Sequence, residues 1–170
     1  NGFQILVELG LLPALDGTMS EAPEAALYTN DSGRFECRPT LLRQERKGRG
    51  VFTSGIPRGS VVMYPSAHAE GKLMFPRSEE GKMLDRLLEN DQVMFRYVDP
   101  EGDYAGYPWC PNGSLHNIAG ICNPAGNVLG MMPHPERVLK RETHPDWTRA
   151  KWKEDGDGLS LFRSAVGSIR

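Results

Sequence analysis

The chain has 170 residues, with 20 Lys and Arg against 22 Asp and Glu and a formal net charge of −2. That length suits one globular domain able to bury a core, and the near balance of charge offers no argument for a nucleic-acid partner. The longest apolar stretch is broken by Glu8 and Gly10, far short of the ~20 residues a spanning helix needs, so no membrane partner is expected.

Cys37, Cys110 and Cys122 form no CxxC pair, and the four histidines have no ligand-spaced partners. Neither a disulfide framework nor a metal site is therefore expected, and the cysteine usage suits a reduced, cytoplasmic setting. No basic segment precedes the apolar residues 3–12, which argues against a secretory signal.

In chain order, Phe3, Ile5, Leu6, Val7 and Leu9 read as a helix ended by Gly10. The turn formers Asn30-Asp31-Ser32-Gly33 lead into a strand over residues 34–42, followed by a charged, solvated stretch over residues 43–49. Residues 61–64 read as a buried strand. Ser78 is placed to cap a helix with Glu79 and Glu80 in its first turn and one apolar face of Met83, Leu84, Leu87 and Leu88. Residues 93–98 alternate like a half-buried strand. Residues 118–122 and 128–132 flank the turn formers Asn123-Pro124-Ala125-Gly126 and read as a hairpin. Asp157 precedes a last helix whose apolar face is Leu159, Phe162, Ala165, Val166 and Ile169. The mixture implies α/β, with strand order left open.

The stretch Gly130-Met131-Met132-Pro133-His134-Pro135-Glu136-Arg137 carries the most chemistry. Each proline fixes its own φ and restricts the residue before it, so His134 sits on stiff, non-helical backbone at a strand end. A general-base His needs a defined tautomer, and a carboxylate two residues on can bend back to supply it. Read alone, this is either a catalytic pair or a rigid surface corner. At the other end, Asn1-Gly2-Phe3-Gln4 leads straight into a helix, and Gly2 suits a sharp strand-to-helix turn that exposes a nucleophile.

Together these segments resemble the class I (triad) glutamine amidotransferases. Residues 1–6, read after a cysteine, are similar to their nucleophile elbow, Gly-x-Cys-x-Gly-x-Gln, and residues 130–137 to their His-Pro-Glu segment. The likeness is strongest to the purine-biosynthetic members. Those carry counterparts of Asn30-Asp31-Ser32-Gly33-Arg34-Phe35-Glu36-Cys37-Arg38, Pro65-Ser66-Ala67-His68-Ala69-Glu70-Gly71, Pro111-Asn112-Gly113-Ser114 and Asn117-Ile118-Ala119-Gly120.

The resemblance implies a three-layer, flavodoxin-like α/β domain, of which residues 1–170 are the portion following the elbow, with the catalytic cysteine directly before Asn1. It implies that His134 is the general base and Glu136 its orienting acid. Gln4 is expected to contact the substrate glutamine, Asn1 to offer a main-chain N–H to the oxyanion, and Arg34 and Phe35 to hold the amino-acid end. Ammonia is expected to pass to a separate synthetase subunit that itself uses ATP and Mg²⁺, in a complex with a small third subunit. No cofactor is expected in this chain.

Gly120-Ile121-Cys122-Asn123 mimics the elbow, but Pro124 stands where a flexible residue is needed, so Cys122 reads as a small buried hydrophobe. Cys37 and Cys110 read the same way. His116 and His144 read as surface residues. His68 and Glu70 are either contacts near the substrate or synthetase, or a polar loop holding itself in place. Tyr107, Trp109, Trp147 and Trp152 are candidates for a partner surface, and residues 137–157 read as a solvated insertion. Two other functions remain open: a catalytically degenerate subunit that only binds its partner, and another triad cysteine hydrolase.

Overall fold

The computed structural model describes residues 1–17, 19–48, 50–149 and 155–169. Helix α1 (Gly2–Glu8) buries Phe3 and Val7, one turn apart on the same face. It stops where expected. Gly10 takes φ +69°, and a Cβ there would lie 2.1 Å from the carbonyl oxygen of Ser20, so only glycine fits.

Five strands form one antiparallel sheet in the order β3 (Val61–His68), β2 (Glu36–Gln44), β5 (Val93–Val98), β6 (Ile118–Cys122), β7 (Leu129–Met131). A smaller ribbon pairs β1 (Ala26–Thr29) with β4 (Glu70–Met74). Helices cover both faces. On one side α1 and α2 (Glu80–Glu89) pack Phe3, Val7, Met83 and Leu87 against Val93, Ile118 and Ile121. On the other, Leu161 of α3 (Leu159–Gly167) joins Tyr64, Met94, Phe95 and Tyr97. The α/β expectation holds.

Pro39 and Pro65 face each other in the β2–β3 ladder. Neither has an N–H, so their pairing is of the non-hydrogen-bonded kind, and the Pro65 carbonyl is left at the outer edge of β3. That carbonyl accepts a hydrogen bond from the His134 N–H at 2.7 Å. His134 lies only three residues past β7, which spans about 10 Å at most, whereas β3 and β7 are the opposite edges of a sheet that would be roughly 19 Å wide if flat. The sheet therefore curls until its two edges are bridged by this bond.

Several local readings change. β5 is buried at all six positions rather than alternately, because it lies mid-sheet with a core on each face. The stretch over residues 43–49 is not simply solvated: Arg43 and Gln44 belong to β2, and Gln44 and Arg46 are buried. Arg46 Nη1 donates to the Asp91 carbonyl at 3.0 Å and to Cys122 Sγ at 2.7 Å, while the Asp91 carboxylate accepts from the N–H groups of Lys47 and Gly48. Ser78 is not the cap of α2; Glu79 holds that position without a side-chain bond. Helix α3 is turned from its expected face, burying Leu161 and Ser164 and exposing Phe162, Val166 and Ile169. Polar pins set that rotation. Asp157 Oδ2 accepts from the Met63 N–H at 2.8 Å, and Ser164 Oγ accepts from the Gly55 N–H at 2.9 Å.

Within residues 137–157, a short 3₁₀ turn (Arg141–Thr143) and a bridge between Lys140 and Asp155 give the segment local order. His144 is buried there rather than at the surface, and Trp152 lies outside the described residues. Cys37 is exposed, whereas Cys110 and Cys122 are buried. No helix among the described residues is long and apolar enough to cross a membrane.

Candidate active site

Main chain fixes His134 before any side chain does. Met132 N–H donates to Ala119 O at 3.0 Å, prolonging the β6–β7 ladder, and His134 N–H then reaches Pro65 O on β3. Pro135 opens a single 3₁₀ turn, Pro135–Arg137, its preset φ being ready for that position. The turn swings Glu136 back, so that its Oε1 lies 2.6 Å from His134 Nδ1. An ionised carboxylate only accepts, so Nδ1 carries the proton and Nε2 presents its lone pair, the arrangement a general base needs. Arg137 Nε lies 3.9 Å from the same oxygen.

His134 and the start of α1 face one another across a cavity of about 340 Å³, whose wall also includes Gln4, Phe35, His68, Glu70 and Arg137. Gln4 Nε2 donates to the Glu70 carbonyl at 2.9 Å, tying α1 to the first residue of β4. Asn1, Gln4, Phe35 and His134 thus share one cavity. Glu136 stands behind His134, and Arg34 lines a neighbouring cavity with Asp31, Tyr107 and Asn117 instead. Tyr107 is exposed with the Arg38 guanidinium 4.7 Å over its ring, and Trp109 and Trp147 are also exposed.

His68, at the end of β3, is only 5% exposed. Asn30 holds it twice: Asn30 Nδ2 donates to the His68 carbonyl at 2.8 Å, and Asn30 Oδ1 lies 3.0 Å from His68 Nδ1. Asn30 Nδ2 also donates to the Arg34 carbonyl at 2.9 Å, joining the loop before Phe35 to the same site. In the sequence Asn30 is only a turn former and Pro65 only part of a segment shared with the resembling family. Their roles lie in long-range bonds that leave no local pattern.

Burial, then electrostatic repulsion by the neighbouring His134 imidazole, lowers the His68 imidazole from 6.5 to about 4; Glu36 opposes this and Arg38 assists it. Between those values the unfolded chain binds the proton and the folded chain does not, so stability rises with pH across that window. The contribution is complete above pH 6.5 and is lost as pH falls through 4, amounting to about 3 kcal/mol. Urea unfolding from pH 7 to pH 4, compared with His68→Asn, is expected to show a shallower pH dependence in the variant.

The two buried cysteines, Cys110 and Cys122, are poor nucleophiles. Burial pushes the Cys122 thiol up to about 11 despite the adjacent Arg46, and burial also raises Cys110. Among the described residues, no group of three or more His, Cys, Asp or Glu could hold a metal ion.

Comparison with known proteins gives the family. Residues 1–167 match the model of the CobB/CobQ-like glutamine amidotransferase domain. The chain is 52% identical over 174 residues to the phosphoribosylformylglycinamidine synthase subunit PurQ of Archaeoglobus fulgidus, covering 98% of this chain and 59% of that protein. It is 50% identical over 138 residues to the subunit of the same name from Picrophilus torridus, covering 81% of this chain and 50% of the relative. The chain thus spans about half to three-fifths of the length of these curated relatives. Among solved structures it is similar to PurLQS from Thermotoga maritima, with a TM-score of 0.68 at 30% identity over 99% of this chain and 58% of that one. A strand-end His held by its own carboxylate across a cavity from a helix start, on a fold and sequence shared with these proteins, places the chain in the CobB/CobQ-like glutamine amidotransferase domain family.

Proposed function

We propose that this chain is the greater part of the glutaminase subunit of a phosphoribosylformylglycinamidine synthase, acting in purine biosynthesis. The observation that carries the reading is the 2.6 Å His134–Glu136 pair facing Asn1 across one cavity. In the complete polypeptide a cysteine directly precedes Asn1, and its thiol meets the His134 Nε2 lone pair. The thiolate attacks the side-chain amide carbon of glutamine, while the main-chain N–H of Asn1 donates to the oxyanion. His134 returns the proton to the amide nitrogen, ammonia leaves, and water then cleaves the γ-glutamyl thioester. Gln4 and Phe35 contact the bound glutamine, with Arg34 nearby.

The ammonia passes to an ATP-dependent synthetase subunit, which holds ATP and Mg²⁺ and converts formylglycinamide ribonucleotide to its amidine; a small third subunit completes the complex. The PurLQS likeness supports that assembly, and this chain itself needs no cofactor. A cytoplasmic location suits the free cysteines.

The test is labelling of the complete protein with a glutamine-like electrophile, followed by peptide mapping. Label on the cysteine joined to Asn1 is expected; label on Cys122 would overturn the assignment. Glu136→Gln replaces an acceptor-only carboxylate with an amide whose NH₂ can donate to Nδ1, so the His134 tautomer is no longer fixed, and glutamine hydrolysis is expected to slow by on the order of 10²-fold or more with little change in KM. Steady-state kinetics of the complex decide this.

A further inference from the structure

The cavity that His134 faces is built from two sheets. His134 hangs from the five-stranded sheet, through β7 and the Pro65 carbonyl. Glu70, whose carbonyl receives the Gln4 amide, opens β4 of the separate two-stranded ribbon. Ala69 alone separates β3 from β4, and the soft dihedrals of such a link do not fix the angle between the sheets. A buried side chain bridges them. Asn112 is 0% exposed and lines neither the active-site cavity nor the neighbouring one. Its Nδ2 donates to the Gly71 carbonyl of the ribbon at 2.8 Å and to the Tyr97 hydroxyl of β5 in the main sheet at 3.3 Å. Its Oδ1 accepts from the Ser114 N–H at 3.0 Å and from Cys110 Sγ at 3.6 Å. The orientation of the amide is unambiguous, because a carbonyl only accepts and a backbone N–H only donates.

The main chain of Asn112 holds a second part of the wall. Its carbonyl accepts from the Asp31 N–H at 3.2 Å, and the two loops lie so close that a Cβ on Gly113 would be 1.9 Å from Asp31 Oδ2. From Asp31 the loop runs on to Phe35, in the cavity wall. Resting on the glutaminase reading above, we propose that Asn112 is a positioning residue: it sets the Glu70 and Phe35 wall against the His134 wall, and so governs how firmly glutamine is held without touching it. A buried polar network with its hydrogens committed is rigid, and loosening one member shifts the others. The chemistry itself does not depend on the bridge. The His134–Glu136 pair is made within its own turn, and α1 keeps its place through Phe3 and Val7 in the core. A wall that grips substrate and transition state alike affects KM and leaves kcat unchanged.

The test compares Asn112→Asp and Tyr97→Phe with wild type, in the complete protein and its complex. Asn112→Asp keeps the shape, loses both hydrogens and sets a carboxylate oxygen against the Gly71 carbonyl. Alkylation to completion of the cysteine before Asn1, by a diazoketone analogue of glutamine, counts the intact sites in each preparation. The proposal expects Asn112→Asp to raise KM for glutamine about tenfold, with kcat per intact site within about twofold of wild type. Ammonia-dependent amidation should be unchanged. A residue that served the fold alone would lower the number of intact sites and leave KM as it was, and that result overturns the proposal. If Asn112→Asp does not fold, Tyr97→Phe decides, since it deletes only the main-sheet arm of the bridge. A raised KM at unchanged kcat then supports the proposal, and an unchanged KM overturns it. A wild-type complex that hydrolyses no glutamine would sink the glutaminase reading and this inference with it; a wild-type complex that does, beside variants of unchanged KM, sinks this inference alone.

Discussion

His134→Ala is expected to lower glutamine-dependent amidation by the intact complex by about 10³-fold, within the range general acid–base groups contribute, while leaving ammonia-dependent amidation close to wild type. The variant removes the Nε2 lone pair that accepts the thiol proton and returns it to the leaving nitrogen. It removes little else. The backbone there is held by the Pro65 carbonyl and by two flanking prolines, and the side chain is partly solvent-exposed. A stability change within about 1 kcal/mol is therefore expected. Parallel assays with glutamine and with ammonium salts make the measurement, and equal loss of both activities would mean that His134 is structural.

Gly158→Ala, a single added methyl on the far side of the same turn, should both destabilise the fold and slow glutamine hydrolysis. A Cβ at Gly158 would lie 1.9 Å from the carbonyl oxygen of Pro135 and 2.7 Å from its carbonyl carbon. The obstacle is main chain, so no side-chain rotation relieves it. The φ of Gly158 is −66°, within the range alanine accepts, so the whole effect comes from the collision and none from dihedral strain. Overpacking of this kind costs typically about 1–3 kcal/mol, and relief requires the Pro135–Arg137 turn to move. That turn sets the 2.6 Å His134–Glu136 contact, so hydrolysis is expected to fall about tenfold or more if the pair is displaced by even ~1 Å. Denaturant titration and steady-state kinetics read the two effects separately. A variant of wild-type activity and stability would show that the turn has room to yield.

The His134–Glu136 pair was legible in the sequence because its geometry is local. Two prolines stiffen the backbone and a two-residue offset lets one turn bring the carboxylate back, wherever that turn sits in the fold. The Gly10 stop of α1 and the β6–β7 hairpin were legible for the same reason, being fixed by turn chemistry over a few residues. The wider family likeness was legible because several such local signatures recur in order along the chain.

What the tertiary structure decided depends on groups distant in sequence. Alternation in residues 93–98 implied one wet face, yet β5 is dry on both, because burial is set by what packs on a strand and not by the strand itself. Arg46 reads as solvated from its charged neighbours, yet Asp91 and Cys122 give its guanidinium partners inside the fold. The amphipathic pattern of α3 named a face that Asp157 and Ser164 turn outward by bonding to Met63 and Gly55. The ambiguity over His68 was of the same kind. That ring is held by Asn30, 38 residues away in the chain, which bonds both its Nδ1 and its main-chain carbonyl. Local backbone chemistry thus specified the catalytic turn, whereas the curl of the sheet, which brings Pro65 to His134 and His68 into the same cavity, arose only from the closing of its two edges.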